Sequence, residues 1–343
     1  NKELTANDKQ LTKQITTYGE PSRIGTITGN VTISAKTNYG IINYGTIDTI
    51  SGNVQIKAAA YGVSNQAADG AYSTYTITYG TDVRTYDYMR NIAGAGYIGT
   101  IGPEGSDVRI TVTGRTAVRN YGSIGLIGSG TTLTAKESTL YNADNRETRR
   151  VYKDTANKNK DGSYDTKREY LYVYGAIPEI ETINGATITA SNNTAVLNSG
   201  VIKTIQKAMV DATKDTIYNC NNGAMTGDRE RARCYRSTTA QKQWPTAEEW
   251  LFTEVDTSGI QYAVAQIDTI ENCTITSKNG IAVRNGGKIG TISDNTVTAT
   301  GVAISNTERA RGASTQIATV SGSDGAWTVT PATGRVDAYS ALP

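Results

Sequence analysis

The chain has no histidine among its 343 residues. Imidazole is the side chain whose ordinary pKa lies closest to neutrality, so histidine-based proton transfer, catalytic triads and His-ligated metals are excluded. Cysteine is nearly absent too. Cys220, Cys234 and Cys273 neither make a disulfide-dense scaffold nor fit a zinc spacing. Charge is sparse and balanced, with 19% charged residues and a formal net charge of +2, and no apolar run is long enough to cross a bilayer. Nucleic acid and a membrane span are therefore not expected partners. The chain opens at Asn1 without a signal-peptide pattern, which reads as a mature product, secreted to the extracellular space or cell surface. No Asp-Asp pair occurs, and acids gather in no column that would hold a calcium ion, so we expect neither a metal nor a cofactor, nor an enzyme.

What the sequence does contain is repetition. An Ile-x-Thr-Ile core recurs as Ile24-Gly25-Thr26-Ile27, Ile47-Asp48-Thr49-Ile50, Ile98-Gly99-Thr100-Ile101, Ile267-Asp268-Thr269-Ile270 and Ile289-Gly290-Thr291-Ile292, with variants starting at Ile124, Ile180, Ile202 and Ile317. A Gly/Asn corner follows, then an alternating strand such as Val31-Thr32-Ile33 or Val54-Gln55-Ile56, then a short aliphatic stretch closed by asparagine. The closing residues are Asn43, Asn65, Asn120, Asn142, Asn198, Asn219, Asn285 and Asn306. Residues two apart share a strand face, which sends Val and Ile inward and Thr, Gln or Arg outward. A period of about 22 residues with β-branched strands and glycine corners marks a solenoid; the Leu-rich frame and helices of a leucine-rich repeat are missing.

The expected fold is all-β: a single-stranded parallel β-helix, or β-solenoid, of about nine rungs, forming a rod of roughly 43 Å at about 4.8 Å per rung. In its period, aliphatic placement and asparagine column, the chain from about residue 24 to 334 resembles the right-handed parallel β-helix proteins of the pectate-lyase-like group. The resemblance implies a right-handed coil and an internal asparagine ladder that satisfies backbone groups at a tight corner. It also raises carbohydrate-active chemistry, but the Asn-Thr-Asp, paired-aspartate, Gly-His-Gly and Arg-Ile-Lys pattern of the polygalacturonases is absent here as a set. The Thr column of the first strand reads as β-branched packing rather than an ice-binding array, because its neighbouring column is irregular.

Three segments follow from the repeat: 1–23 as a cap or docking segment, 24–334 as the β-helix, and 335–343 as a C-terminal tail. Leu4, Leu11 and Ile15 recur at spacings that predict a short N-terminal capping helix, with Thr5 as its N-cap. Odd units leave their asparagine by a short link, such as Asn120-Tyr121-Gly122-Ser123. Even units leave through long excursions, 66–97, 143–179, 220–266 and 307–316, so every excursion starts from one corner of the rod, about 9.6 Å apart.

Loops on a rigid scaffold are the usual place for recognition, and these are rich in aromatics. Tyr72, Tyr75, Tyr86 and Tyr88 lie in the first excursion, Tyr152, Tyr170 and Tyr172 in the second, Trp244 and Trp250 in the third. Such rings suit sugar or protein contact, or else a satellite core against the rod. Cys220 and Cys234 either remain thiols or close a loop worth about 3 kcal/mol; Cys273 falls at an inward position and reads as a buried filler. The expectation is an extracellular structural or adhesive protein, in the manner of a filament or fibre subunit, self-associating end to end or side by side and contacting a glycan or surface protein. A uronate-lyase-like enzyme and a phage tail-fibre or tailspike glycan-binding domain are the alternatives.

Overall fold

The computed structural model describes residues 22–66, 96–143, 177–220, 264–306 and 317–321 in full, and elsewhere the backbone of further strands. Every regular element among the described residues is a β-strand. Three all-parallel sheets of nine, eight and nine strands run the length of the molecule. The protein is thus a β-solenoid, one strand of each sheet per turn.

The first sheet stacks the Ile-x-Thr-Ile segments in order, Arg23–Ile27, Thr46–Ile50, Tyr97–Ile101, Ser123–Ile127, Glu179–Asn184, Val201–Gln206, Gln266–Glu271, Lys288–Ser293 and Gln316–Ser321. Both isoleucines of a unit point inward although they stand three residues apart, as Ile47 and Ile50 do. The pairing accommodates this by skipping one residue: Ile98 faces Ile47 and Thr100 faces Thr49, with Gly99 and Asp48 unpaired. Both strands skip the same residue, so the register stays one to one.

The second sheet, from Asn30–Ala35 to Thr296–Ala299, obeys strict alternation; Asp107–Val112 runs exposed, buried, exposed, buried, exposed, buried. Between these two sheets most rungs turn at a residue with positive φ. Glycine takes the position at Gly29, Gly52 and Gly185, but Lys207, Asn272 and Asp294 adopt it as well, at φ of 53°, 54° and 54°. The third sheet begins with Tyr39–Asn43 and holds the asparagine-closed segments.

Stacking puts like on like. Ile24, Ile47, Ile98, Ile124, Ile180, Ile202, Ile267, Ile289 and Ile317 form one column by register. Val63, Val118, Leu140, Val196, Ile217 and Val283 form another from the third sheet. These columns enclose a single continuous apolar core. Each methylene there is worth about 0.8 kcal/mol of burial, which rewards the register that keeps the columns aligned.

The structure revises both ends. The N-terminal segment is not a helix where it is described: Lys9–Thr17 is a strand, antiparallel to Ala68–Tyr79 of the first excursion. Leu11 and Ile15 satisfy a period of two as well as of four, and threonines and Ile15 favour an extended chain once an edge strand is available. At the other end Arg335–Asp337, placed in the tail by the sequence reading, pairs in parallel with Val302–Ser305 as the ninth strand of the third sheet. The last residues assigned to the excursions, Tyr97, Glu179, Gln266 and Gln316, already open first-sheet strands. Among the described residues no helix is long and apolar enough to cross a membrane.

Candidate functional site

The eight asparagines join into an uninterrupted side-chain ladder. Each Nδ2 donates to the Oδ1 of the next, from Asn43 through Asn65, Asn120, Asn142, Asn198, Asn219 and Asn285 to Asn306, at 2.8–2.9 Å. In the odd rungs the asparagine also grips the glycine two residues on. Asn120 Nδ2 donates to Gly122 O and Asn120 Oδ1 accepts from Gly122 N, and the same pairs join Asn43 to Gly45 and Asn198 to Gly200. A Cβ on Gly122 would run into the carbonyl oxygen of Gly96, so that corner admits no side chain.

In the even rungs the residue after the asparagine leaves the rod, and the ladder instead holds the returning end. Asn65 donates to Gly96 O, Asn142 to Pro178 O and Asn219 to Ala265 O. Gly96, Pro178 and Ala265 therefore stand where Gly45, Gly122 and Gly200 stand, and the backbone bonds Ser123 N to Gly96 O, Val201 N to Pro178 O and Lys288 N to Ala265 O continue the column. Each of these three excursions is a splice between two residues fixed by one asparagine.

Outside the rod these excursions build antiparallel structure. Lys9–Thr17, Ala68–Tyr79 and Asp82–Ile92 form one three-stranded sheet. Arg146–Tyr152 and Arg168–Tyr174 of the second excursion join Arg231–Tyr235 of the third in another. Arg146–Tyr152 also lies beside Asp82–Ile92, so the two sheets are neighbours. Of the residues singled out from sequence, Tyr75 stands opposite Tyr86, Tyr72 opposite Met89 and Tyr88 opposite Ser73 in the first sheet. Tyr152 pairs with Arg168, Tyr170 with Arg150 and Arg233, and Tyr172 with Thr148 and Arg231 in the second. Their side chains, together with Trp244, Trp250 and the Cys220–Cys234 pairing, lie outside the described residues.

Sequence reading missed an aromatic and cationic cluster on the outer face of the third sheet. Tyr39 and Tyr61 stack with ring centroids 5.0 Å apart and planes 16° from parallel. Arg115 Nη1 donates to the Tyr61 hydroxyl at 2.8 Å, and the Arg119 guanidinium lies 5.2 Å from the Tyr61 ring and 4.3 Å from that of Tyr121. Superposing the units would have found it, since Tyr39 and Tyr61 share a unit position. A second arginine–tyrosine contact, Arg284 over Tyr218 at 4.8 Å, recurs further along the same face.

Other charged groups are dispersed. Lys203 bridges Glu179 and Glu181 at 2.9 Å each, which raises its ammonium pKa, and Arg23 forks onto Asp48. Both groups are solvent-exposed and contribute little. Cys273 is buried as expected, its thiol donating to Glu271 O, and burial pushes its pKa up to about 11. On the second sheet the register does give two adjacent threonine columns, Thr132 with Thr134, Thr187 with Thr189, Thr274 with Thr276 and Thr296 with Thr298, but Met209 and Asp211 interrupt them. No group of three or more His, Cys, Asp or Glu among the described residues could hold a metal ion. No family model, no curated protein and no solved structure matches the chain.

Proposed function

We propose that the chain is an extracellular structural and adhesive rod that displays its excursions as a lateral contact surface for a glycan or surface protein. One observation carries this reading: two excursions from separate rungs share a sheet beside the rod, through Arg168–Tyr174 and Arg231–Tyr235, while their roots are clamped by ladder asparagines. A rigid scaffold that fixes the ends of tyrosine-rich strands keeps the ordering entropy of recognition low. The repeat itself contributes spacing and stiffness rather than chemistry.

The short links of the odd rungs supply the control. Replacing residues 66–96 by Tyr-Gly, the connection found at Tyr121-Gly122, converts an even rung into an odd one. The expected variant keeps the rod's circular-dichroism spectrum and loses a measurable part of the binding that the intact chain shows on a glycan array or to cell surfaces. A variant that binds as well as the parent removes the first excursion from the contact surface, and an intact chain that binds nothing removes the adhesive reading.

A further inference from the structure

Two arginines occupy the same unit position on the outer face of the third sheet, one residue before a ladder asparagine, and among the described residues only one has a carboxylate. Arg284, before Asn285, lies over the Tyr218 ring and donates Nη1 to Asp215 Oδ2 at 2.9 Å. Asp215 belongs to the preceding rung, two residues before the inward Ile217 that pairs with Val283. Arg119, before Asn120, looks back on its own preceding rung, where Val63 pairs with Val118. The position two residues before Val63 holds Tyr61 instead of an acid.

Among the described residues Arg119 is consequently held by ring faces alone. Its Nε is buried and has no hydrogen-bond partner, and no carboxylate pairs with it among the described residues. Arg115, exposed, uses one nitrogen on the Tyr61 hydroxyl; Glu137 acts on it only through space. A guanidinium donor removed from water without an acceptor is costly, whereas the same fork matched to a carboxylate is among the stronger polar contacts available. Beside it the stacked Tyr39–Tyr61 pair presents two ring edges one rung apart.

We infer that Tyr39, Tyr61, Arg115, Arg119 and Tyr121 bind a sugar bearing a carboxylate. The ligand's carboxylate does for Arg119 what Asp215 does for Arg284, shared between Arg119 and Arg115, and the sugar ring lies against the edges of the tyrosine pair. The site is on the rod itself and does not rest on the excursions, so losing residues 66–96 as a contact surface and losing this site are separate outcomes.

The test is titration calorimetry of the full chain with trigalacturonate and with 3′-sialyllactose, against the neutral galactotriose and lactose. At least one acidic sugar is expected to bind, with its neutral counterpart about tenfold weaker or more. Arg119→Gln should weaken the acidic sugar by about tenfold or more, the loss of one charge-assisted contact. Arg119→Lys should recover only part of that, because an ammonium lacks the planar fork. Arg115→Gln, at an exposed position that does not threaten folding, should weaken binding too, and Lys203→Gln on the first sheet should not. Binding of one acid alone assigns the uronate or the sialate as ligand, and binding of both assigns the carboxylate as the shared determinant. The inference is overturned if neither acidic sugar binds, if neutral sugars bind equally well, or if Arg119→Gln and Arg115→Gln both leave affinity unchanged.

Discussion

Asn142 is 0% exposed and makes four side-chain hydrogen bonds: Nδ2 donates to Asn198 Oδ1, Pro178 O and Val201 O, and Oδ1 accepts from Asn120. Truncation strands buried partners on both sides, and each unsatisfied group costs about 1–3 kcal/mol. Asn142→Ala should lower stability by about 3 kcal/mol, seen as a lower urea midpoint. A second residue-scale prediction concerns pH. The Cys273 thiol, ordinarily near 9.0, titrates at about 11 in the fold because burial disfavours the thiolate. A pKa raised in the folded state means that the unfolded chain loses its proton first as pH rises. The contribution is therefore complete below pH 9 and lost by pH 11, about 2–3 kcal/mol at 1.4 kcal/mol per unit. Subtracting the curve for Cys273→Ala isolates it, and parallel curves from pH 9 to 11 would refute it. At Lys207, φ of 53° strains a residue with a Cβ; Lys207→Gly should raise stability by about 0.5–1 kcal/mol, since the glycine's extra unfolded entropy offsets only part of the relief. The ladder and the corner glycines were legible because repetition displays them in columns. Asn295, buried and bonded to Cys273 N and Ile270 O, was not, because the same position elsewhere holds Ala186, Ala208 or Cys273 and shows no polar pattern.

At the scale of elements, register explains why the rungs were easy to read and the N-terminal strand was not. A rung pairs with its own copy, so its partner is written about 22 residues away in the sequence. Lys9–Thr17 pairs with Ala68–Tyr79 in an antiparallel sheet unrelated to the repeat, and nothing local distinguishes Leu11 and Ile15 on a strand from the same residues on a helix. The lateral sheets were legible only as a common point of departure. Which strands they form depends on contacts between excursions, as in the pairing of Tyr170 with Arg233. The pairing predicts independence from the rod. Deleting residues 9–17 should leave an open edge on Ala68–Tyr79 and raise amide exchange across 68–79, while protection in the third-sheet strand Thr116–Asn120 stays unchanged. Loss of protection at Thr116–Asn120 as well would mean that the N-terminal strand stabilises the rod and not only the hairpin.

At the scale of the whole molecule, the described N-terminal strand belongs to the lateral sheet and leaves the first rung's aliphatics open. Ile24 is 51% exposed, whereas Ile47 of the same column, one rung in, is 1% exposed. At the other end of the first sheet Val320 is 39% exposed. The two terminal strands carry the same frame, Arg23-Ile24-Gly25-Thr26-Ile27 and Gln316-Ile317-Ala318-Thr319-Val320, so the pairing that joins Lys288–Ser293 to Gln316–Ser321 can be repeated between copies. Such a contact would be head to tail, hence heterologous, and would propagate instead of closing. Sedimentation velocity should show mass rising with concentration, and electron microscopy should show rods longer than one chain. A charge at either end should stop growth, through Ile24→Glu or Val320→Glu. Mixing these two variants discriminates the geometry, because the intact C-terminal end of the first fits the intact N-terminal end of the second. The mixture should yield dimers and nothing larger. If Ile24→Glu blocks assembly and Val320→Glu does not, contact runs between N-terminal ends; if neither variant changes the mass distribution, the ends are not the assembly surface.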